Sequence, residues 1–89
     1  MPRHAIEFLA SADKALRRLP TTVQRRIVVA VEELGDDPRP PGVVKLADDE
    51  NLWRIRVGNY RVVYEIHDKR LLVLVVRIGH RKGIYRKGR

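Results

Sequence analysis

The sequence predicts an α+β fold: a small antiparallel-rich sheet in the order β-α-α-β-β-β, with two N-terminal helices packed on one face. Three observations predict it. The stretch Leu52-Trp-Arg-Ile-Arg-Val-Gly-Asn-Tyr-Arg-Val-Val-Tyr-Glu-Ile66 alternates with a period of two on either side of Gly58-Asn59. Upstream, residues 11–34 carry apolar positions at helical spacing. Downstream, Leu71-Leu-Val-Leu-Val-Val76 is apolar on both faces, as a strand in the middle of a sheet is.

In chain order, residues 3–9 alternate weakly and form a first strand. Ser11 is a suitable N-cap for a short helix with Ala12, Ala15, Leu16 and Leu19 on one stripe, and Pro20 ends it. Thr21-Thr-Val-Gln24 reads as a capping box opening a second helix, with Val23, Ile27, Ala30, Val31 and Leu34 on its buried face. Arg17, Arg18, Arg25 and Arg26 fall on the exposed sides of these helices and read as solvated surface. Gly35-Asp-Asp-Pro-Arg-Pro-Pro-Gly42 is a breaker-rich loop inside one domain spanning residues 1–89, since neither side of it could bury a core alone. Val43-Val-Lys-Leu46 is a short extended piece and Ala47-Asp-Asp-Glu-Asn51 an acidic turn. After the hairpin, His67-Asp-Lys-Arg70 turns the chain into the last strand, which Gly79 is expected to break.

The hairpin organises everything else. A two-residue turn at Gly58-Asn59, a pair that tolerates positive φ, sets Val57 opposite Tyr60, Arg56 opposite Arg61, Ile55 opposite Val62, Arg54 opposite Val63 and Trp53 opposite Tyr64. Successive side chains point to opposite faces. Trp53, Ile55, Val57, Tyr60, Val62, Tyr64 and Ile66 therefore make a core face. The other face carries Arg54, Arg56 and Arg61. Like charges opposite each other on a sheet are destabilising, so Arg56 facing Arg61 implies an anion to be bound there. The last strand runs antiparallel to residues 60–66, which brings His80-Arg-Lys-Gly-Ile-Tyr-Arg86 to the same edge, so that Arg81 and Tyr85 can join the arginines in one basic pocket. The register of this last strand is open by one residue, which leaves the direction of Arg77 open.

The net charge is +8, unevenly spread. Residues 1–53 hold eight Lys/Arg against nine Asp/Glu, whereas residues 54–89 hold eleven against two. A basic half that coincides with an arginine-bearing sheet face is the footprint of a polyanion-binding surface, which favours nucleic acid. The absence of cysteine excludes a disulfide framework and a thiolate nucleophile. His4, His67 and His80 are too far apart for a local metal motif, so no metal and no cofactor are expected. No apolar run approaches the roughly 18 residues of a membrane span, and the first residues are no signal peptide, so no membrane partner and a cytoplasmic location are expected.

The hairpin stretch, taken with Val75-Val-Arg-Ile-Gly-His-Arg-Lys-Gly-Ile-Tyr-Arg86, resembles the RelE branch of the RelE/ParE toxin superfamily of bacterial toxin–antitoxin systems, over nearly the whole chain. The resemblance implies a RelE/ParE-like fold and a ribosome-dependent endoribonuclease that cuts mRNA in the ribosomal A site. In that reaction the RNA 2′-hydroxyl attacks the adjacent phosphate, leaving a 2′,3′-cyclic phosphate and a 5′-hydroxyl end. It further implies that Arg61 stabilises the charged transition state, that Arg81 lies near the leaving oxygen, and that Tyr85 orients or stacks on the substrate. Arg56 joins these as a catalytic candidate, while Arg54, His80 and Lys82 are candidates for binding substrate. A cognate antitoxin is the implied protein partner, alongside ribosome and mRNA.

Arg54 and Arg56 stand where well-studied members carry two lysines, which is a departure with chemical weight. A lysine of depressed pKa can act as a general base, but a guanidinium with a pKa of about 12.5 or more cannot. The arginines can bind phosphate bidentately and offset developing charge. His80, of a residue type that titrates near pH 6.5, could stand in as base or acid, or simply be a hydrogen-bonded turn residue. Two other functions fit the same basic face: a ParE-like inhibitor of DNA gyrase, and a non-catalytic module that grips nucleic acid without cutting it.

Overall fold

The protein is described by a computed structural model over residues 3–46 and 51–80. Its elements are β1 (Ala5–Phe8), α1 (Ala10–Arg17), α2 (Thr21–Asp36), β2 (Val44–Lys45), β3 (Leu52–Val57), β4 (Tyr60–His67) and β5 (Leu72–His80), with a 3-10 turn at Asp68–Arg70. The sheet is five-stranded, in the order β1-β5-β4-β3-β2. β1 runs parallel to β5 and every other pair is antiparallel. The expected α+β architecture is present, with the extended piece at Val44–Lys45 added as a fifth, edge strand. No helix among the described residues is long and apolar enough to cross a membrane.

The register of the hairpin is the one that its alternation dictates, Val57 against Tyr60 through Trp53 against Tyr64. Of the two hairpin-turn residues, Gly58 takes a φ of 61° and Asn59 has no positive φ, the pattern of a II′ turn. β5 sits between β1 and β4, which explains why it is apolar on both faces. Under the core face lie the helices: Ala12 and Leu16 of α1 and Ile27, Val31 and Leu34 of α2 meet Val62, Tyr64, Ile66, Val73, Val75 and Ile78 in one buried cluster. Trp53, Ile55, Val57 and Tyr60 pack against its edge.

Several local expectations are corrected. α1 begins at Ala10 with Leu9 as its N-cap, so Ser11 lies inside the helix and caps nothing. α1 ends at Arg17, and Pro20 serves instead as the N-cap of α2, its carbonyl accepting the Gln24 amide at 2.9 Å. No capping box forms. A proline cap has no side-chain acceptor, and the Gln24 amide group turns back to the Leu19 carbonyl at 2.7 Å, closing the C-terminal end of α1. Nor does Gly79 break the last strand, because it stays in the ladder opposite Arg61 and β5 runs on to His80. Residues 47–50 of the expected acidic turn lie outside the described residues.

α2 also runs further than its breakers suggest, through Gly35. There the segment just before β1 comes close, and the His4 amide donates to the Gly35 carbonyl at 2.8 Å. A Cβ at Gly35 would stand 2.9 Å from the His4 carbonyl oxygen and 2.5 Å from Nη2 of Arg3. Elsewhere in a helix Gly→Ala gains about 1 kcal/mol. Here the backbone carbonyl must give way, so Gly35→Ala is expected to destabilise by about 1–3 kcal/mol in urea unfolding, as overpacking does.

Away from the turn, three segments are tied together through Asp68. Its carboxylate accepts from Arg39 at 2.9 Å and contacts His4 Nε2 at 3.1 Å, and the Arg39 guanidinium lies 5.0 Å from the Trp53 ring centroid. The Arg39 hydrogen bond, then that of His4, hold the Asp68 carboxyl below its ordinary value. A depressed folded pKa contributes stability above the unfolded pKa of about 3.9 and loses it as pH falls through the folded value. Asp68→Asn should therefore cost about 1 kcal/mol or less at pH 7, the group being exposed. In urea titrations the gap should persist at pH 5 and close as pH drops below about 4.

Candidate nucleic-acid interface

The face of the sheet turned away from the helices is built in two rows. Arg54, Val63 and Arg77 are paired side by side on β3, β4 and β5, and one step nearer the turn Arg56, Arg61 and Gly79 are paired likewise. With strands about 4.8 Å apart and about 3.3 Å per residue, the four guanidinium stems spring from an area of roughly 10 by 7 Å. Arg56 and Arg77 are exposed, while Arg54 and Arg61 are half-buried. The Nε of Arg54 and the Nε and Nη1 of Arg61 are screened from solvent. Val63, at 4% exposure, is the apolar floor between them.

Arg77 reaches this face through an irregularity that alternation could not reveal. Val63 pairs with Arg77 but the next residue, Tyr64, pairs with Val75, so Val76 is an extra residue in β5. Such a bulge shifts the phase of a strand by one. It lets Val75 and Ile78, three apart, both enter the core, and turns Arg77 outward. α2 contributes near the same corner: Arg26 Nη1 would lie 3.7 Å from a Cβ on Gly58. Helical periodicity marks Arg26 only as solvated surface and carries no sign of this approach, since no local pattern relates a helix residue to a turn more than thirty positions away.

His80 does not join the arginines. It pairs with Tyr60, which points to the core side, and its ring stands edge-on to that of Tyr60 at a centroid distance of 5.5 Å. One residue beyond Gly79, strand alternation places it on the opposite side of the sheet from Arg61. His67 is on the arginine side but about 20 Å along β4 from Arg61, hydrogen-bonded to Glu65 at 2.8 Å. Among the described residues, then, the arginine end offers cationic donors and no side chain suited to take a proton at neutral pH. Arg81, Lys82 and Tyr85 lie outside the described residues.

Trp53, Tyr60 and Tyr64 are on the core side, as the pattern requires, and Tyr64 is fully buried. Its hydroxyl donates to the Pro38 carbonyl at 2.7 Å, and burial pushes its pKa well above the ordinary value. What the outer face can do is therefore bind: the exposed Arg56 and Arg77 can each hold a phosphate through two parallel hydrogen bonds, beside the half-buried Arg54 and Arg61 on the same patch.

Comparison with known proteins places this architecture. Residues 6–85 match the family model described as ParE toxin of type II toxin-antitoxin system, parDE. The Toxin RelE3 of Methanocaldococcus jannaschii is 32% identical over 82 residues, 88% of this chain and 91% of its own length. Toxin RelG of Mycobacterium tuberculosis is 28% identical over 85 residues, 94% of this chain and 98% of its own. Among solved structures, an archaeal RelE-RelB complex from Pyrococcus horikoshii OT3 superposes with a TM-score of 0.79 at 27% identity, covering 89% of this chain and 96% of that one.

Proposed function

The chain is a RelE-like toxin of the RelE/ParE superfamily of type II toxin–antitoxin systems, and from that membership we propose that it is an mRNA endoribonuclease acting in the ribosomal A site, in the cytoplasm. The observation that supports this reading is the two-row arginine face, with Arg61 at its centre and Arg54, Arg56 and Arg77 around it. In the reaction, the 2′-oxygen bonds to phosphorus as the bond to the 5′-oxygen breaks. The proton leaves the 2′-hydroxyl and one is taken up by the departing 5′-oxygen. Negative charge grows on the non-bridging oxygens between these events, and fixed guanidiniums stabilise it more than they stabilise the resting diester. Arg61 is assigned that role, with Arg56 assisting and Arg54 binding an adjoining phosphate. By resemblance Arg81 serves the leaving oxygen, Tyr85 orients the substrate and Lys82 adds a phosphate contact.

Arginine does not act as a base at neutral pH. The lysine-to-arginine departure at positions 54 and 56 thus leaves the rate to charge stabilisation and to the in-line geometry imposed on the bound strand. A cognate antitoxin is the protein partner, supported by the solved relatives that are themselves RelE-RelB complexes. A basic face this concentrated has to be covered when the toxin is held inactive, so the antitoxin shields it directly or displaces what it binds.

The matched family model carries the ParE description, and this favours a second reading as a DNA gyrase inhibitor. One experiment separates the two. The purified protein is added to a bacterial translation extract and mRNA ends are mapped by primer extension, with a gyrase supercoiling assay run in parallel. Ribosome-dependent mRNA ends with unimpaired supercoiling are expected. Intact mRNA with inhibited supercoiling would transfer the assignment to gyrase.

A further inference from the structure

We propose that Arg77 binds a phosphate of the RNA strand next to the one that is cut, and so sets the position of the substrate on the arginine face. The proposal rests on the endoribonuclease reading for the identity of the strand, but on the bulge at Val76 for the placement of the side chain. Strict alternation from Val75 would have put residue 77 on the core side beneath the helices, where an unpaired guanidinium is not tolerated. The phase shift instead sets it across from Val63, on the opposite side of that residue from Arg54. Arg77 is diagonal to Arg61, and diagonal cross-strand neighbours stand roughly 7–8 Å apart.

Among the described residues Arg77 makes no hydrogen bond or ion pair and is exposed. The carboxylate nearest along β4 on that face, Glu65, is engaged with His67. Arg77 is a fourth guanidinium on this face, and among the described residues no carboxylate pairs with it. It also extends the patch across a third strand. A single phosphate held by Arg61 and Arg56 does not need that extension, whereas a strand that crosses from β3 to β5 does. Gly79, beside Arg61, has no side chain to stand between Arg61 and Arg77 and leaves the path between them open.

The test couples the side chain to one phosphate. Short mRNAs are prepared in which each phosphate flanking the cleaved one is replaced, one at a time, by an uncharged methylphosphonate. Single-turnover cleavage on programmed ribosomes is then measured for wild type and Arg77→Ala. Arg77→Ala is expected to slow cleavage of the unmodified mRNA by roughly tenfold or more, the worth of one charge-assisted contact. One flanking methylphosphonate should slow the wild type by a similar factor and have no further effect on the variant. Arg77→Lys, which keeps the charge without the fork, should recover part of the loss. Multiplying effects at every flanking position, or a wild-type rate for Arg77→Ala, would overturn the proposal. If the wild type cuts no mRNA, the endoribonuclease reading fails by itself. Binding of the same oligonucleotides to the free protein then decides Arg77 by the same coupling, with loss of the coupling overturning it.

Discussion

Arg61→Ala is expected to lower single-turnover mRNA cleavage by about 10²- to 10³-fold, the scale on which removal of one preorganised donor to a developing oxyanion acts. The size follows from its position. β4 is held on both sides by β3 and β5, so the Arg61 backbone is among the most constrained on the face. Its side chain is half-buried, where a charge–charge interaction is less attenuated than at the exposed Arg56. Arg61→Lys should fall between wild type and alanine, retaining charge but losing the planar fork. Folding is not expected to fail in either variant. Arg61 stands on the face away from the core and opposite a like charge, Arg56, whose repulsion the alanine relieves. Urea unfolding of the same samples checks this, and a rate that stays within a fewfold of wild type would remove Arg61 from the reaction.

Tyr64→Ala should have the largest effect on stability, about 3–5 kcal/mol, as deletion of a large buried aromatic does. Tyr64 is fully buried and lies where the strands meet the helices. Against the 5–15 kcal/mol that holds a typical domain together, that loss leaves a substantial unfolded population. Tyr64→Phe isolates the hydroxyl, which donates to the Pro38 carbonyl and pins the loop that carries Arg39. Its expected cost is about 1 kcal/mol, with mRNA cleavage unchanged because the side chain is on the far side of the sheet from the arginines. A phenylalanine variant that kept full stability would show that the loop is held by other contacts.

The fold is legible in the sequence wherever period and turn chemistry agree. Gly58-Asn59 and the alternation about it determine the hairpin pairing residue by residue, and with it the core and arginine faces. The apolar run from Leu71 marks a central strand, and the stripes of α1 and α2 mark their buried sides. Cap residues mislead, because Ser11 and Thr21 are competent caps at positions where the chain has already turned helical. Where a helix starts or stops depends on the approach of neighbouring segments, such as His4 against Gly35 near the end of α2, and that is not local information.

Of the site, Arg54, Arg56 and Arg61 are legible because one hairpin carries all three. Arg77 is not. A strand apolar on both sides has no polar phase to follow, and the bulge at Val76 is visible only once Tyr64 and Val63 have found their partners. His80 departs from expectation for a related reason. A strand broken at Gly79 would release His80 toward the arginines, whereas one more residue of ladder turns it to Tyr60.

Cleavage by the RNA's own 2′-hydroxyl on the arginine face can be checked with one substrate change. An mRNA carrying a single 2′-deoxynucleotide on the 5′ side of the cleaved phosphate is placed in the A site beside its all-ribose counterpart. The ribose strand is expected to be cut, with a cyclic phosphate at its new 3′ end, and the deoxy strand to stay intact at that bond. Equal cutting of both would mean that water or a protein group attacks phosphorus, and the 2′-hydroxyl mechanism would be wrong.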